Sequence, residues 1–319
     1  MLNLPFVMRM FLVGVIVLGA GVVSGQDYPN KPIRIVTGPA GGGSDFTARQ
    51  IAQRITTTLG QPVVIDNRSG VTQGEVVSKA PPDGYTLFVA GSNVWIDPLL
   101  QKTPYDTVRD FSPITLAVTS PNILVIHPSL PVKSVKDLIA LAKARPGELN
   151  YAANAPGSSA HLAGELFKAM AGVNIVAVPY KGGGPAVIGL LGGQVQLMFA
   201  TSASVTPHIR SGRVRALAIT SGELSALLPG LPTVAASGVP GYEMMGKTGM
   251  FAPVKTPAAI IKRLNQEIVR ALNLPDVKEK FYNAGVEVVG SSPEKFAATV
   301  RSDIDKLGKL IKDTGIKSE

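Results

Sequence analysis

The sequence has no cysteine among its 319 residues. Disulfide bonds, thiolate metal sites and cysteine nucleophiles are therefore excluded. Aromatic residues are scarce, at 6%, and the lysines and arginines are scattered without a basic run, so the pattern typical of a nucleic-acid-binding protein is missing. Charged residues make up only 17% against 45% apolar residues, which predicts a globular chain. The length exceeds one typical core and favours two lobes.

Long apolar runs are also scarce, and the one near the N-terminus is short. Phe11–Val23 is apolar, and no charged side chain lies between Arg9 and Asp27. Because a bilayer needs about 20 apolar residues, this run predicts a signal peptide, residues 1–25, with small residues for cleavage at Val23-Ser24-Gly25. The alternative is an uncleaved membrane anchor. We expect an exported protein that resides in the periplasm.

The charge balance is positive, at +9 for the whole chain. Removal of residues 1–25 removes Arg9 and leaves 30 basic residues against 22 acidic ones. A basic surface suits nucleic acid, an acidic membrane surface or small anions. Because the basic residues are scattered, we expect a small organic anion as the partner and no nucleic acid.

Strand-like and helix-like segments alternate along the chain. Ile33–Val36 is typical of a buried strand, and the helical spacing of apolar residues runs from Ala48 to Leu59. The pattern restarts at Asn122–Ile126 and continues through a strand at 214–219. Such alternation predicts an α/β fold in which each lobe is a mainly parallel sheet flanked by helices.

The predicted lobes are not separated by a low-complexity linker, which suggests that strands join them. The first lobe comprises residues 26–124 and returns with residues 248–319, and the second comprises residues 125–247. Three helices are predicted after Gly249, each with a proline at its start. A cleft is expected between the lobes.

Three segments combine a strand end, glycines and a helix start: Pro39–Asp45, Pro156–Ser159 and Pro179–Pro185. Glycine lets the backbone approach a ligand closely, and the N–H groups at a helix start favour an anion. One such loop is explained equally well by turn geometry, whereas three loops favour a shared anion site. The first loop has neither the lysine–serine/threonine ending of a P-loop nor the spacing of a dinucleotide fingerprint, so a nucleotide enzyme is not expected.

The same residues resemble the Bug family, the receptors of tripartite tricarboxylate transporters. The resemblance rests on ordered motifs spread over residues 26–319, namely Tyr28-Pro29, Lys31–Ile33, Pro39–Asp45, Asp66–Arg68, Pro82–Leu87, Gly157–Leu162, Val178–Gly182 and Gly249–Pro253. It implies a two-lobed, type II-like periplasmic binding protein without catalysis, metal or cofactor. It also implies a carboxylate ligand held by loop amides, hydroxyls and ordered waters, and membrane transporter subunits as partners of a monomer.

The loops and the resemblance together predict the ligand-binding residues. They are Ala40, Gly41, Gly42, Gly43, Ser44, Asp45, Ser92, Asn93, Gly157, Ser158, Ser159, Lys181, Gly182, Ala200 and Thr201.

Two segments depart from the family's pattern. The family usually has a glycine-alanine-glycine-glycine run where this chain has Gly70-Val71-Thr72-Gln73-Gly74, and many members have an aspartate where this chain has Ala200. An acidic group at that position suits a ligand amino or hydroxyl group. Its absence makes an amino-acid ligand less favoured.

Other interpretations of single residues remain open. Ser158 and His161 allow a serine hydrolase, although the G-x-S-x-G elbow is absent, and we favour a structural histidine that packs or caps its helix. A structural ion pair is favoured for Arg68 over ligand binding, and a core position for Trp95 over a place in the cleft. A further alternative is a ligand sensor that feeds a signalling partner.

Overall fold

The structure is a computed structural model that describes residues 28–153, 157–180 and 182–314. The predicted signal peptide, Pro156 and Lys181 lie outside the described residues. The described strands are β1 Ile33–Thr37, β2 Val63–Asn67, β3 Thr86–Gly91, β4 Phe111–Ile126, β5 Asn150–Ala153, β6 Val176–Pro179, β7 Leu197–Thr201, β8 Arg215–Ile219, β9 Met245–Pro253 and β10 Glu287–Val288.

The described helices occupy the segments between these strands and after them. They are α1 Gly43–Leu59, α2 Thr72–Ser78, α3 Asn93–Leu100, α4 Thr107–Asp110, α5 Val135–Ala144, α6 Ser159–Ala171, α7 Gly183–Leu191, α8 Ser202–Arg210, α9 Ala258–Leu272, α10 Pro275–Asn283 and α11 Pro293–Thr314. The predicted alternation of strands and helices, and hence the α/β class, is confirmed.

The strands form two groups that share β4. In the first group β2, β1 and β3 are parallel neighbours, and β9 pairs antiparallel with both β3 and β4. In the second group β6, β5 and β7 are parallel neighbours, and β4 pairs antiparallel with both β7 and β8. The sheets are therefore mixed, whereas the sequence predicts mainly parallel ones. The reason is that β4 pairs antiparallel in both groups, and β9 pairs antiparallel with both of its neighbours in the first.

The change of partner along β4 is sharp. Its pairing with β9 extends to Pro121 opposite Met245, and its pairing with β7 begins at Asn122 opposite Thr201. The residue pair Pro121–Asn122 is therefore the point at which the chain leaves one group of strands and enters the other. The predicted lobe boundaries lie close to this point and stay a prediction.

Amphipathic helices cover the sheets and fill the core. On α9 the buried residues Leu264, Ile268, Ala271 and Leu272 recur at helical spacing, so one face of the helix packs inward. Trp95 is fully buried and packs edge-on against Phe296 at 5.9 Å between ring centroids. The core position favoured for Trp95 is therefore confirmed.

Candidate functional site

The first glycine loop joins the carboxyl end of β1 to the start of α1. Gly41 has a φ of +79°, a left-handed conformation that favours glycine. The N-cap residue of α1 is Gly42, which offers no side chain to cap the first turn. The first N–H groups of this 17-residue helix therefore remain available, beside the positive end of its dipole, for an anionic group.

Asp45 shapes this loop from the inside. Its carboxylate accepts hydrogen bonds from the Gly41 backbone N–H at 2.9 Å, from Arg49 Nε at 2.9 Å and from Asn67 Nδ2 at 2.8 Å. The hydrogen bond from Arg49, with those from Asn67 and Gly41, lowers the pKa of Asp45 to about 2. Asp45 is 3% exposed, so the structure assigns it to holding the loop, and Arg49 balances its negative charge near the anion-favouring helix start.

The loop from β3 to α3 lies beside this first loop. A Cβ atom placed on Gly91 would lie 2.9 Å from Asn93 Oδ1 and 3.6 Å from Ser44 Oγ. The Ser92 backbone N–H donates to the carbonyl oxygen of Lys247 on β9 at 2.9 Å. The predicted residues Ser44, Ser92 and Asn93 therefore gather at the carboxyl ends of β1 and β3, next to β9.

The second glycine loop leads into α6. Ser158 is the N-cap residue, and its Oγ accepts the backbone N–H of His161 at 3.3 Å. The Gly157 backbone N–H donates to His161 Nδ1 at 3.3 Å, and burial lowers the pKa of His161. His161 thus holds the loop, which is the structural role favoured from the sequence. Ser158 Oγ serves the helix backbone, in contrast to the arrangement of a hydrolase nucleophile.

The second loop reaches β9 from the other group of strands. Ser159 Oγ lies 3.6 Å from the point that a Cβ atom on Gly246 would occupy. Gly246 precedes Lys247, whose carbonyl oxygen contacts the β3–α3 loop. The second loop also lies near α3, because Asp97 Oδ1 is 3.9 Å from the point that a Cβ atom on Gly157 would occupy. Sequence-predicted residues from both halves of the chain are therefore brought together around β9.

Three further predicted residues, Gly182, Ala200 and Thr201, lie just after β6 and at the end of β7. Gly182 has a φ of +100° and donates its N–H to the Tyr180 carbonyl oxygen at 2.8 Å. Thr201 is exposed, and its hydroxyl donates to Ser204 Oγ at 3.1 Å. Ala200 is fully buried in an apolar cluster with Ile123 and Met198, so the structure leaves it no exposed surface for a ligand.

Polar side chains that the sequence did not single out also lie here. Gln73 is 5% exposed, and its Oε1 lies 3.9 Å from the point of a Cβ on Gly38, at the end of β1. Burial raises the pKa of Asp97 to about 6, and a hydrogen bond from Asn93 opposes the rise. Asn122 is 1% exposed at the partner change of β4. Only Gln73 had a signal in the sequence, because it lies in the segment Gly70–Gly74 that departs from the family's glycine-rich run.

Arg68, which the sequence left between two roles, makes a structural ion pair. Its Nε and Nη2 donate to the two oxygens of Asp66 at 2.9 and 3.2 Å. Within the described residues, no group of His, Asp and Glu side chains could hold a metal ion. The same part of the chain contains no helix both long and apolar enough to cross a membrane.

A cavity of about 540 Å³ lies beside the candidate site, between α11 and strands β4 and β9. Lys247 lines the cavity. Because adjacent residues of a strand point to opposite faces, Gly246 and the cavity lie on opposite faces of β9. Two of the cavity's charged groups pair with each other, since Lys247 Nζ donates to Asp303 Oδ1 at 2.6 Å, and Trp95 Nε1 donates to Asp303 Oδ2 at 3.1 Å. Glu243 and Lys306 also line the cavity, and Lys306 Nζ donates to the backbone carbonyl oxygen of Glu243 at 3.2 Å. We keep the glycine–serine loops as the candidate site, because Ser92 is the one predicted ligand-binding residue among those that line the cavity.

Comparison with known proteins adds an independent finding. Residues 47–316 match the family model described as the tripartite tricarboxylate transporter family receptor. The chain is 38% identical over 316 residues to protein BugT of Bordetella pertussis, a match that covers 96% of this chain and 97% of BugT.

Two solved structures share the fold and a substantial part of the sequence. Rpa4515 of R. palustris, solved with adipate, is 38% identical with a TM-score of 0.78, covering 91% of this chain and 99% of that one. The periplasmic binding protein BugD is 32% identical with a TM-score of 0.74, covering 92% of this chain and 100% of that one. The order of strands and helices is therefore that of a periplasmic binding protein.

Proposed function

The chain belongs to the tripartite tricarboxylate transporter receptor family, and on this premise we propose that it captures a small carboxylate-bearing molecule outside the cytoplasm for such a transporter. The family is one of solute-binding receptors. The carboxylate class draws support from the adipate in the structure of Rpa4515. The membrane subunits of the transporter are the proposed partners of a monomeric receptor.

The observation that supports the proposal most is the meeting of two glycine–serine helix starts at β9. Ser44 lies in the first turn of α1, and Ser159 begins α6. Backbone N–H groups and the helix dipole favour an anion at such ends, and the hydroxyls add donors. A carboxylate between them would be bound without a buried counter-charge, because Asp45 and Arg49 neutralise each other.

The strength of such a site is sufficient for a receptor. A micromolar dissociation constant corresponds to about 8 kcal/mol. Each hydrogen bond to a charged group contributes roughly 1.5–3 kcal/mol, so four or five of them suffice after the cost of ordering the loops.

The mechanism we propose is closure of two lobes around the ligand. The first lobe comprises residues 26–124 and 248–319, and the second comprises residues 125–247. β4 and β9 connect them, so bending of these strands would open the cleft. The carboxylate docks on the Gly41–Ser44 loop first, and the Gly157–Ser159 loop then closes over it.

Export to the periplasm and the absence of turnover complete the proposal. Export draws support from the apolar run Phe11–Val23, and cleavage near Gly25 would release the mature chain. The role as a receptor without catalysis draws support from Ser158, whose hydroxyl oxygen caps α6.

The test is a thermal-shift screen of the mature chain with succinate, malate, adipate and citrate, followed by calorimetry. We expect at least one of these carboxylates to raise the melting temperature and to bind with a micromolar or lower dissociation constant. The methyl ester of the tightest ligand is the matched control, because it removes the charge and keeps the carbon skeleton. Binding of the ester as tightly as the acid, or binding of none of the acids, would refute the proposal.

A further inference from the structure

Asn122 carries a buried amide whose donor has no partner. Its side chain is 1% exposed, and Nδ2 makes no hydrogen bond within the described part of the chain. A buried N–H group without an acceptor destabilises the fold, and native proteins keep few of them. The amide of Asn122 therefore needs an explanation.

The backbone of Asn122 does not supply that explanation. Its N–H donates to Thr220 Oγ1 at 2.8 Å, and its carbonyl oxygen accepts from the Thr220 N–H at 2.9 Å. The strand is thus held at this position whatever the side chain is. An apolar side chain of similar size would satisfy the packing and would leave no donor unpaired.

The position of Asn122 connects it with the candidate site. It is the first residue of β4 after the change of partner, and it lies opposite Thr201 at the end of β7. Two residues earlier, Ser120 lies opposite Gly246, and Ser159 Oγ lies 3.6 Å from the point of a Cβ on Gly246. Residues two apart in a strand share a face of the sheet, and so do cross-strand partners. Ser120, Asn122 and Thr201 therefore lie on one face, which is the face that Ser159 at the start of α6 approaches.

We propose that Asn122 is a ligand-recognition residue whose Nδ2 donates a hydrogen bond to an acceptor oxygen of the bound carboxylate. This inference rests on the proposed function and extends it from the glycine loops to the strand that connects the two halves. The ligand oxygen supplies the acceptor that the protein lacks. The site thereby selects molecules with a carboxylate or carbonyl oxygen directed at β4.

The test compares Asn122→Leu and Asn122→Asp with the unaltered mature chain by calorimetry, using the tightest ligand among succinate, malate, adipate and citrate. Loss of one hydrogen bond to a charged group predicts a dissociation constant about 10- to 100-fold higher for Asn122→Leu. Asn122→Asp keeps the shape but places a carboxylate against the ligand, so we expect a greater loss. The melting temperature of ligand-free Asn122→Leu should be equal to or above that of the unaltered chain.

Gln50→Leu is the matched control. Gln50 Oε1 is also a buried polar atom without a partner, but it lies on α1 about two turns beyond the start of the helix. Removal of the Gln50 amide should leave the dissociation constant for the same ligand within twofold of that of the unaltered chain. If the unaltered chain binds one of the four acids and both Asn122→Leu and Asn122→Asp bind it equally well, the role of Asn122 is overturned and the proposed function stands. Failure of the unaltered chain to bind any of them overturns the proposed function as well.

Discussion

Ser159 Oγ lies 3.6 Å from the point that a Cβ atom on Gly246 would occupy, and Ser120 Oγ lies only 2.6 Å from the same point. Ser159 begins α6, whereas Ser120 and Gly246 are paired on β4 and β9. The missing side chain at Gly246 therefore leaves room for Ser120 Oγ, and Ser159 Oγ lies at ordinary contact distance from the same point. Gly246 is thus a point at which residues from the two halves of the candidate site lie close together.

Replacement of Gly246 by valine should separate them. A branched side chain would collide with Ser120 and displace Ser159, so we expect the dissociation constant for the tightest carboxylate to rise at least about tenfold, or about 1.4 kcal/mol. Calorimetry measures this change. Gly308→Ala is the control, because its nearest neighbour outside its own helix is Leu99 at 3.8 Å, an ordinary contact. The control should bind normally, and equal binding by Gly246→Val would contradict the assignment of the site.

The adjacent serines Ser158 and Ser159 should respond differently to removal of their hydroxyls. Ser158 Oγ caps α6, so Ser158→Ala should lower the free energy of unfolding by about 1 kcal/mol. Ser159 Oγ makes no hydrogen bond within the described residues, so Ser159→Ala should leave stability unchanged and weaken carboxylate binding by roughly 1–3 kcal/mol. Urea unfolding and calorimetry on both variants separate the two effects. A loss of stability in Ser159→Ala would assign it a structural role.

The local patterns of the sequence predict most of the elements and the glycine loops, because those features depend on neighbouring residues. Ser44, Ser158 and Ser159 all lie at the predicted helix starts. The 16-residue strand β4 was predicted only in its last part, 122–126. Pro113 and Pro121 interrupt its pattern, and register shifts near Pro113 and Leu116 break the alternation that identifies a strand.

The side chains that complete the candidate site had weaker signals. Ser120 lies near the start of α6, and Asn122 lies where β4 changes its partner, a long-range feature that no local spacing predicts. Asp45 was predicted to contact ligand, but its i,i+4 partner Arg49 and the distant Asn67 direct its carboxylate inward. Such outcomes depend on contacts between segments that are remote in sequence.

Asp45 should make a contribution to stability that disappears in acid. Its pKa is lowered to about 2, chiefly by the hydrogen bond from Arg49, so the folded state favours the ionised form. That stability is present above about pH 4 and is lost as the pH falls toward 2. We expect Asp45→Asn to lose roughly 1–2 kcal/mol at pH 7, a value reduced for solvent screening because Arg49 is half exposed.

Urea unfolding between pH 7 and pH 3 measures the contribution of Asp45. The difference between Asp45→Asn and the unaltered chain should be constant down to about pH 5 and smaller at pH 3. Glu75→Gln removes an exposed i,i+4 pair with Lys79 and is the matched control, with an expected loss below about 0.5 kcal/mol. A difference for Asp45→Asn that grows in acid would contradict the ion-pair explanation.

Asp97 should show the opposite dependence on pH. Burial raises its pKa to about 6, because the ionised carboxylate is poorly solvated beside Tyr105 and the Gly157 loop. The folded state therefore favours protonated Asp97. The resulting stability is fully present below about pH 4 and is lost as the pH rises through 6.

Asp97→Asn removes the charge and keeps the shape, so it should be more stable than the unaltered chain at pH 7.5. The expected gain is on the order of 1–2 kcal/mol after allowance for partial solvent exposure. At pH 4 the carboxyl group is protonated in the folded state, and the gain should fall close to zero. Urea unfolding of both proteins at the two pH values provides the measurement. Equal stability at pH 7.5 would mean that solvent or the hydrogen bond from Asn93 compensates the buried charge, and a gain that is larger at pH 4 would reverse the sign of the argument.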